Sequence, residues 1–142
     1  MSRITRKRRN TRGSTLVELS LIFLVFFCLL IGAFDFGQFL FVHQALVERA
    51  RYAARWGMAT YPSPTNTQIQ NMVIYGQSTA GTNGYFGLTS SMVTVTSSNP
   101  NTWNACISIL VSNYPYKMLS PYIAGSYTGP NIMVSVPLGM YD

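Results

Sequence analysis

From Ala59 to Asp142 the chain has no histidine and no glutamate; its sole acid is Asp142 and its sole base Lys117. General acid–base catalysis needs a titratable group held against substrate, and an activated nucleophile needs a base beside it. Cys106 has no histidine in its own region to serve it. A metal site needs several His, Cys, Asp or Glu ligands together. These absences argue against an enzyme and against a resident metal or cofactor. Cysteine is scarce as well. Cys28 lies in a long apolar run and Cys106 far beyond it, which separates them in topology and speaks against an intrachain disulfide. Cys28 reads as a small apolar side chain and Cys106 as a buried one. Proline is missing before Pro62, so nothing in the first part of the chain forces a helix to stop.

What is present is unevenly placed. Arg3, Arg6, Lys7, Arg8, Arg9 and Arg12 all precede Gly13, and from Ser14 onward four bases balance four acids. The net charge of +6 is therefore a property of the leader. A run such as Arg6–Lys7–Arg8–Arg9 can bind nucleic acid. Here it abuts an apolar segment, which favours retention of the N-terminus in the cytoplasm by the positive-inside rule and no nucleic-acid partner. From Leu19 to Phe34 only Ser20 is polar. A bilayer core takes about 20 helical residues, and a buried soluble helix would show a polar face that this one lacks. The segment reads as a membrane span. A cleaved secretory signal fits less well: the run is long for one, and "IGA" puts Ile31 where a small residue is preferred.

The helix should outrun the membrane. "FLFVHQALVERARYAARWGMA" is rich in helix formers, and Thr15 to Met58 as one helix would be about 65 Å long. Leu46, Ala50, Ala53, Ala54 and Gly57 recur at helical spacing as a narrow stripe, small enough for another helix to approach closely. Ala33 and Gly37 form a small-xxx-small pair. Glu48 can reach Arg51 one turn on. Asp35 marks the outer edge of the apolar zone, among Phe34, Phe36, Phe39 and Phe41. His43 is a lone histidine without co-ligands. "DFG" at Asp35–Gly37 matches a kinase magnesium motif, but neither a glycine-rich loop nor "HRD" accompanies it.

Beyond Pro62 and Pro64 a short helix is expected in "NTQIQNMVIYGQ", with Asn66 as N-cap and Ile69, Met72 and Val73 on one face. A glycine-rich loop follows, then three strands at Ser91–Ser97, Ala105–Asn113 and Asn131–Gly139. "YPYKMLSPYIAGSYTGP", with four tyrosines and several turn signals, reads as a long exposed connection. The expected architecture is α+β: a leader (1–13), a long helix whose first half is transmembrane (14–58), and a small head with a three-stranded antiparallel sheet (59–142).

Glu18 is the residue out of place, because a charge at mid-bilayer costs about 2.5–3.5 kcal/mol. The short basic leader, Gly13, Ser14, the apolar run and Glu18 as fifth residue after the glycine resemble the class III signal of type IV pilins and pseudopilins. More narrowly, "RGSTLVELSLIFLVFFCLLIGAFDFGQFLFVHQALVERARYAARWG" resembles the TadE-like family, minor pseudopilins of the tight-adherence (Tad/Flp) pilus system. "ISILVSNYPYKMLSP" and "NIMVSVPLGM" are similar to that family's later strands. The chain lacks the aromatic pair that the major Flp pilin carries after the glutamate, and is far longer than that subunit.

The resemblance implies cleavage by a membrane prepilin peptidase between Gly13 and Ser14. It also implies pairing of Glu18 with the new amine of a neighbouring subunit, which would set axial register, the best-attested use of a buried ion pair. It further implies a single-pass inner-membrane protein with a periplasmic head, acting structurally in assembly or initiation of a Tad-type pilus or related secretion apparatus. Its partners would be the membrane, other pilin or pseudopilin subunits, the peptidase and the pilus assembly platform. On these readings Gly13 and Ser14 are the processing site, and Glu18 the register residue. Arg6, Lys7, Arg8, Arg9 and Arg12 are topology determinants, and Ala33, Gly37, Ala50, Ala53 and Gly57 packing positions. The alternative is an unprocessed, signal-anchored binding or adhesion module.

Overall fold

The computed structural model describes residues 12–60, 63–98, 106–118 and 125–137. One helix dominates it: α1, Arg12–Ala59, is 48 residues long, or about 72 Å at 1.5 Å per residue. With no proline to interrupt it, the backbone ladder continues from the span into the head. Thr60 then folds back, its amide and its hydroxyl both donating to the Trp56 carbonyl.

The short helix α2, Asn66–Tyr75, starts at the expected cap itself, one residue early. Thr65, not Asn66, is the N-cap, in a reciprocal capping box with Gln68. The Thr65 hydroxyl accepts from the Gln68 amide at 3.3 Å, and the Gln68 side chain accepts from the Thr65 amide at 2.9 Å. Each bond satisfies a donor that the first helical turn leaves open. Gly76 ends α2 in the left-handed conformation at φ 75°, its amide donating to the Met72 carbonyl. Ile69, Met72 and Val73 are buried as expected, and Ile74 with them.

Three strands, β1 (Val93–Ser98), β2 (Cys106–Val111) and β5 (Ile132–Pro137), form an antiparallel sheet with β2 in the centre. The register sets Ile109 opposite Val95 on one side and Val134 on the other. The period-two alternation therefore points Ile107, Ile109, Val111, Ile132 and Val134 inward, while Met133 faces out. Between β2 and β5 lies a hairpin of β3 (Pro115–Lys117) and β4 (Ser126–Thr128).

That hairpin is exposed at Pro115, Lys117, Gly125 and Thr128, in line with the expected exposed connection, but its base is not. Tyr114, just ahead of β3, is fully buried. Gly129, just after β4, donates its amide to the Tyr114 carbonyl at 2.9 Å, and any Cβ at Gly129 would collide with the Tyr114 ring. An amphipathic ring can fill a core as readily as decorate a surface, so tyrosine content alone did not separate the two. Cys106 is likewise half-buried rather than buried.

The sheet and α2 close on the upper half of α1, and their shared core includes Leu46, Ala50, Ala53 and Ala54, each without exposed surface. Contacts fix the level of each element along α1. Ile69 and Ile107 press on Gly57, Arg49 reaches the Val73 carbonyl, Tyr114 meets His43, Phe86 meets Phe41, and Tyr116 meets Phe39. The described head thus spans Phe39 to Gly57 of the helix, roughly 27 Å. Its α2–β1 end, where Ser97 donates to Asn66, is farthest from the apolar run.

Candidate functional site

The lower half of α1 presents a site of a different kind, an unaccompanied helix. Residues 13–30 are all exposed, and Leu16, Val17, Leu21, Leu24 and Leu29 each keep 64% or more of their surface. Water would not tolerate such a face; a bilayer would, because the helix satisfies its own backbone groups. This helix is the single-pass membrane anchor.

Gly13, Ser14 and Glu18 lie on its first turns, all exposed. A Cβ at Gly13 would meet nothing within 4 Å, so neither packing nor backbone conformation demands glycine there. In a helix it costs about 1 kcal/mol relative to alanine. The Glu18 carboxylate makes no hydrogen bond or ion pair among the described residues, whereas Ser20 donates to the Val17 carbonyl at 2.8 Å. Arg6, Lys7, Arg8 and Arg9 lie outside the described residues, and Arg12 opens α1.

Ala33 and Gly37 sit at the base of an open apolar depression flanked by Leu30, Phe34, Gln38 and Phe41. Ala50, Ala53 and Gly57 behave differently. Ala50 and Ala53 are fully buried, and a Cβ on Gly57 would stand 3.0 Å from Ile69 Cδ1. The helix that uses this stripe is the chain's own α2, together with the sheet, so a neighbouring subunit cannot reach it. Asp35 is the one buried charged side chain among the described residues, on an otherwise exposed stretch of helix.

The upper half of α1 carries two polar arrangements that sequence reasoning missed. His43 Nδ1 is 2.9 Å from the Tyr114 hydroxyl, with Phe39 stacked on the imidazole. Burial, then the neighbouring Tyr116, raises the Tyr114 pKa above its ordinary value. Higher up, the Arg49 Nε donates to the Val73 carbonyl at 3.0 Å, near the C-terminal end of α2, and the guanidinium lies 3.6 Å from the centre of the Tyr85 ring. Both are fastenings between helix and head. Arg49 complements the α2 carbonyl end and adds a cation–π contact. Their partners are 24 or more residues away in sequence, so no local signal announced them. The expected Glu48–Arg51 pair is present at 2.9 Å and exposed.

Near Phe41 the chain holds a strained residue. Phe86 has φ 52° and ψ 27°, a left-handed conformation that costs a non-glycine residue about 1–3 kcal/mol. It sets the Phe86 ring edge-on to Phe41 at 6.3 Å. Among the described residues no three His, Cys, Asp or Glu side chains come together as a metal site. Cys28 and Cys106 are both free.

A long apolar helix bearing a small α+β head of short helix and three-stranded antiparallel sheet defines the pilin-like class. Residues 13–55 match the family model of the TadE-like protein, the family that the sequence resembles. The match takes in the span and the upper helix, less than a third of the chain. No curated protein and no solved structure matches the chain.

Proposed function

We propose that this chain is a minor pilin-like subunit, a pseudopilin, that acts structurally in assembly or initiation of a Tad-type pilus or related secretion apparatus. A prepilin peptidase would cut between Gly13 and Ser14 on the cytoplasmic face of the bacterial inner membrane, leaving the head in the periplasm. The partners would be other pilin or pseudopilin subunits and the assembly platform.

One observation carries this reading: an exposed helix start on which, among the described residues, nothing requires Gly13 and Glu18 has no partner. A carboxylate four residues into the mature chain sits about 6 Å from its amine end. The Ser14 amine, with an α-amino pKa of about 7.7–8.0, is largely cationic at neutral pH. Within a subunit the two lie on the same short stretch; between staggered subunits they become complementary charges in a medium where an unpaired charge is costly. The pair would then fix the axial stagger.

The test is the N-terminal residue of the mature protein from its native host, by intact mass. A chain beginning at Ser14 supports processing, and a Glu18→Ala variant is then expected to insert and fold normally but fail to assemble. A chain retaining residues 3–13 would defeat the proposal and leave a signal-anchored module.

A further inference from the structure

Lys117 is the head's only base, and the head's only acid is the terminal residue. The topology sets this single cation at the end of the head nearest the span. Lys117 closes β3, whose neighbour Tyr116 packs on Phe39 of α1 at 5.2 Å and on Tyr127 of β4 at 5.7 Å. With Phe39, Phe41, Phe86, Pro115 and Tyr116 it lines an open groove of about 320 Å³. The left-handed turn at Phe86 aims that ring at the same place.

Depth along α1 says what surrounds this groove. A hydrocarbon core of about 20 residues counted from Leu16 or Leu19 ends between Asp35 and Gln38. Phe39 and Phe41 then lie roughly 2–9 Å beyond it. The headgroup layer is about 5–8 Å thick on each side. Aromatic rings and a lysine that extends its apolar stem while keeping its ammonium in polar surroundings are what that layer accommodates.

We infer that the groove binds a phospholipid of the membrane that α1 crosses. The lipid phosphate sits on the Lys117 ammonium, and the glycerol and first methylenes lie against Phe41 and Phe86. The groove is continuous with the lipid-facing surface of the span through Phe41, which also borders the depression over Ala33 and Gly37. Lipid contact at this level fixes the height and rotation of the head over the bilayer before any other subunit arrives. This inference rests on membrane anchoring and not on cleavage at Gly13.

The experiment uses the full chain in lipid nanodiscs, read by broadening of backbone amide NMR signals from lipids carrying a paramagnetic headgroup, either phosphatidylglycerol or phosphatidylcholine. Phe86, Tyr116 and Lys117 are expected to broaden several-fold more than Thr67 at the far end of the head. Lys117→Gln should lower the preference for phosphatidylglycerol about fivefold, the contribution of one lysine near an anionic surface. Phe86→Asn keeps the left-handed turn, which asparagine tolerates, and should reduce broadening from both lipids. Equal broadening at Lys117 and Thr67 would overturn the inference, as would an unchanged lipid preference in Lys117→Gln. A second, spin-labelled copy broadening Phe86 in place of lipid would also overturn it, because another subunit would then own the groove. Alkaline extraction separates the two readings. Release of the chain defeats anchoring and this inference together; retention without broadening defeats only the inference.

Discussion

The two halves of α1 are one helix by backbone and two different objects by surface. From Leu21 to Phe34 the residues are apolar on every side, and Gly32 within that run, like Gly13 and Gly37 flanking it, has open space around it. Above Phe39 the outward face is charged, and the inward face is a strip of small residues with no exposed surface. Small residues invite close approach in both halves, but only the upper set has been taken, by α2 and the sheet. Helix geometry therefore does not tell which small-residue strip serves assembly. No described residue covers the lower half, and on the proposed function its partners are lipid or other subunits.

The sharpest way to break this contrast is to make paired changes in the two halves. Gly129→Ala should have the largest effect, preventing the native head because its Cβ collides with the Tyr114 ring. Gly32→Ala, at an open helix position, should leave the head's stability unchanged. Urea unfolding of the full chain in nanodiscs, followed by Trp56 fluorescence, reads both.

Next comes the same substitution at two leucines. Leu46→Ala removes a fully buried side chain and should cost the head about 2–5 kcal/mol. Leu24→Ala, at a residue 64% exposed, should leave the urea midpoint where it was. Equal losses at both sites would mean the halves are not energetically distinct.

Gly57→Leu should destabilise by about 1–3 kcal/mol through overpacking against Ile69 and Ile107. The matching Gly37→Leu should leave head stability unchanged and be tested for assembly.

A pH scan sharpens the comparison from the upper side alone. The Tyr114 pKa is raised in the fold above its ordinary 10.0, so the unfolded chain loses the proton first as pH rises. Its contribution is fully present below about pH 10 and is lost as pH climbs through the folded value. The urea midpoint should fall above about pH 10 and fall less steeply in Tyr114→Phe.

The smallest effect expected is for Glu48→Ala. Its exposed pair with Arg51 is worth about 0.2–0.5 kcal/mol, a shift near the limit of the same measurement.

Much of this architecture was legible in the residues because it depends on neighbours in the chain. The apolar run, the absence of proline and the alternation of Ile107, Ile109 and Val111 are local patterns, and each led to the element observed. The Thr65–Gln68 capping box is present in the sequence as T-x-x-Q, yet residue type alone favours Asn66 as the cap. What stayed hidden depends on distant pairing. Nothing near His43 announces Tyr114, which lies 71 residues on, and nothing near Phe86 says its ring will stand against Phe41.

Sequence by itself determined that the chain is a long apolar helix followed by a head whose sole acid and sole base are Asp142 and Lys117. An uninterrupted apolar helix and a missing set of titratable residues are fixed before folding. Only the tertiary structure decided which small residues the head consumes, that the tyrosine-rich connection pairs as a hairpin and buries Tyr114, and that Lys117 stands at the membrane end. Those outcomes follow from which surfaces meet, and an amphipathic tyrosine or a small alanine is compatible with core and surface alike until the partner is in place.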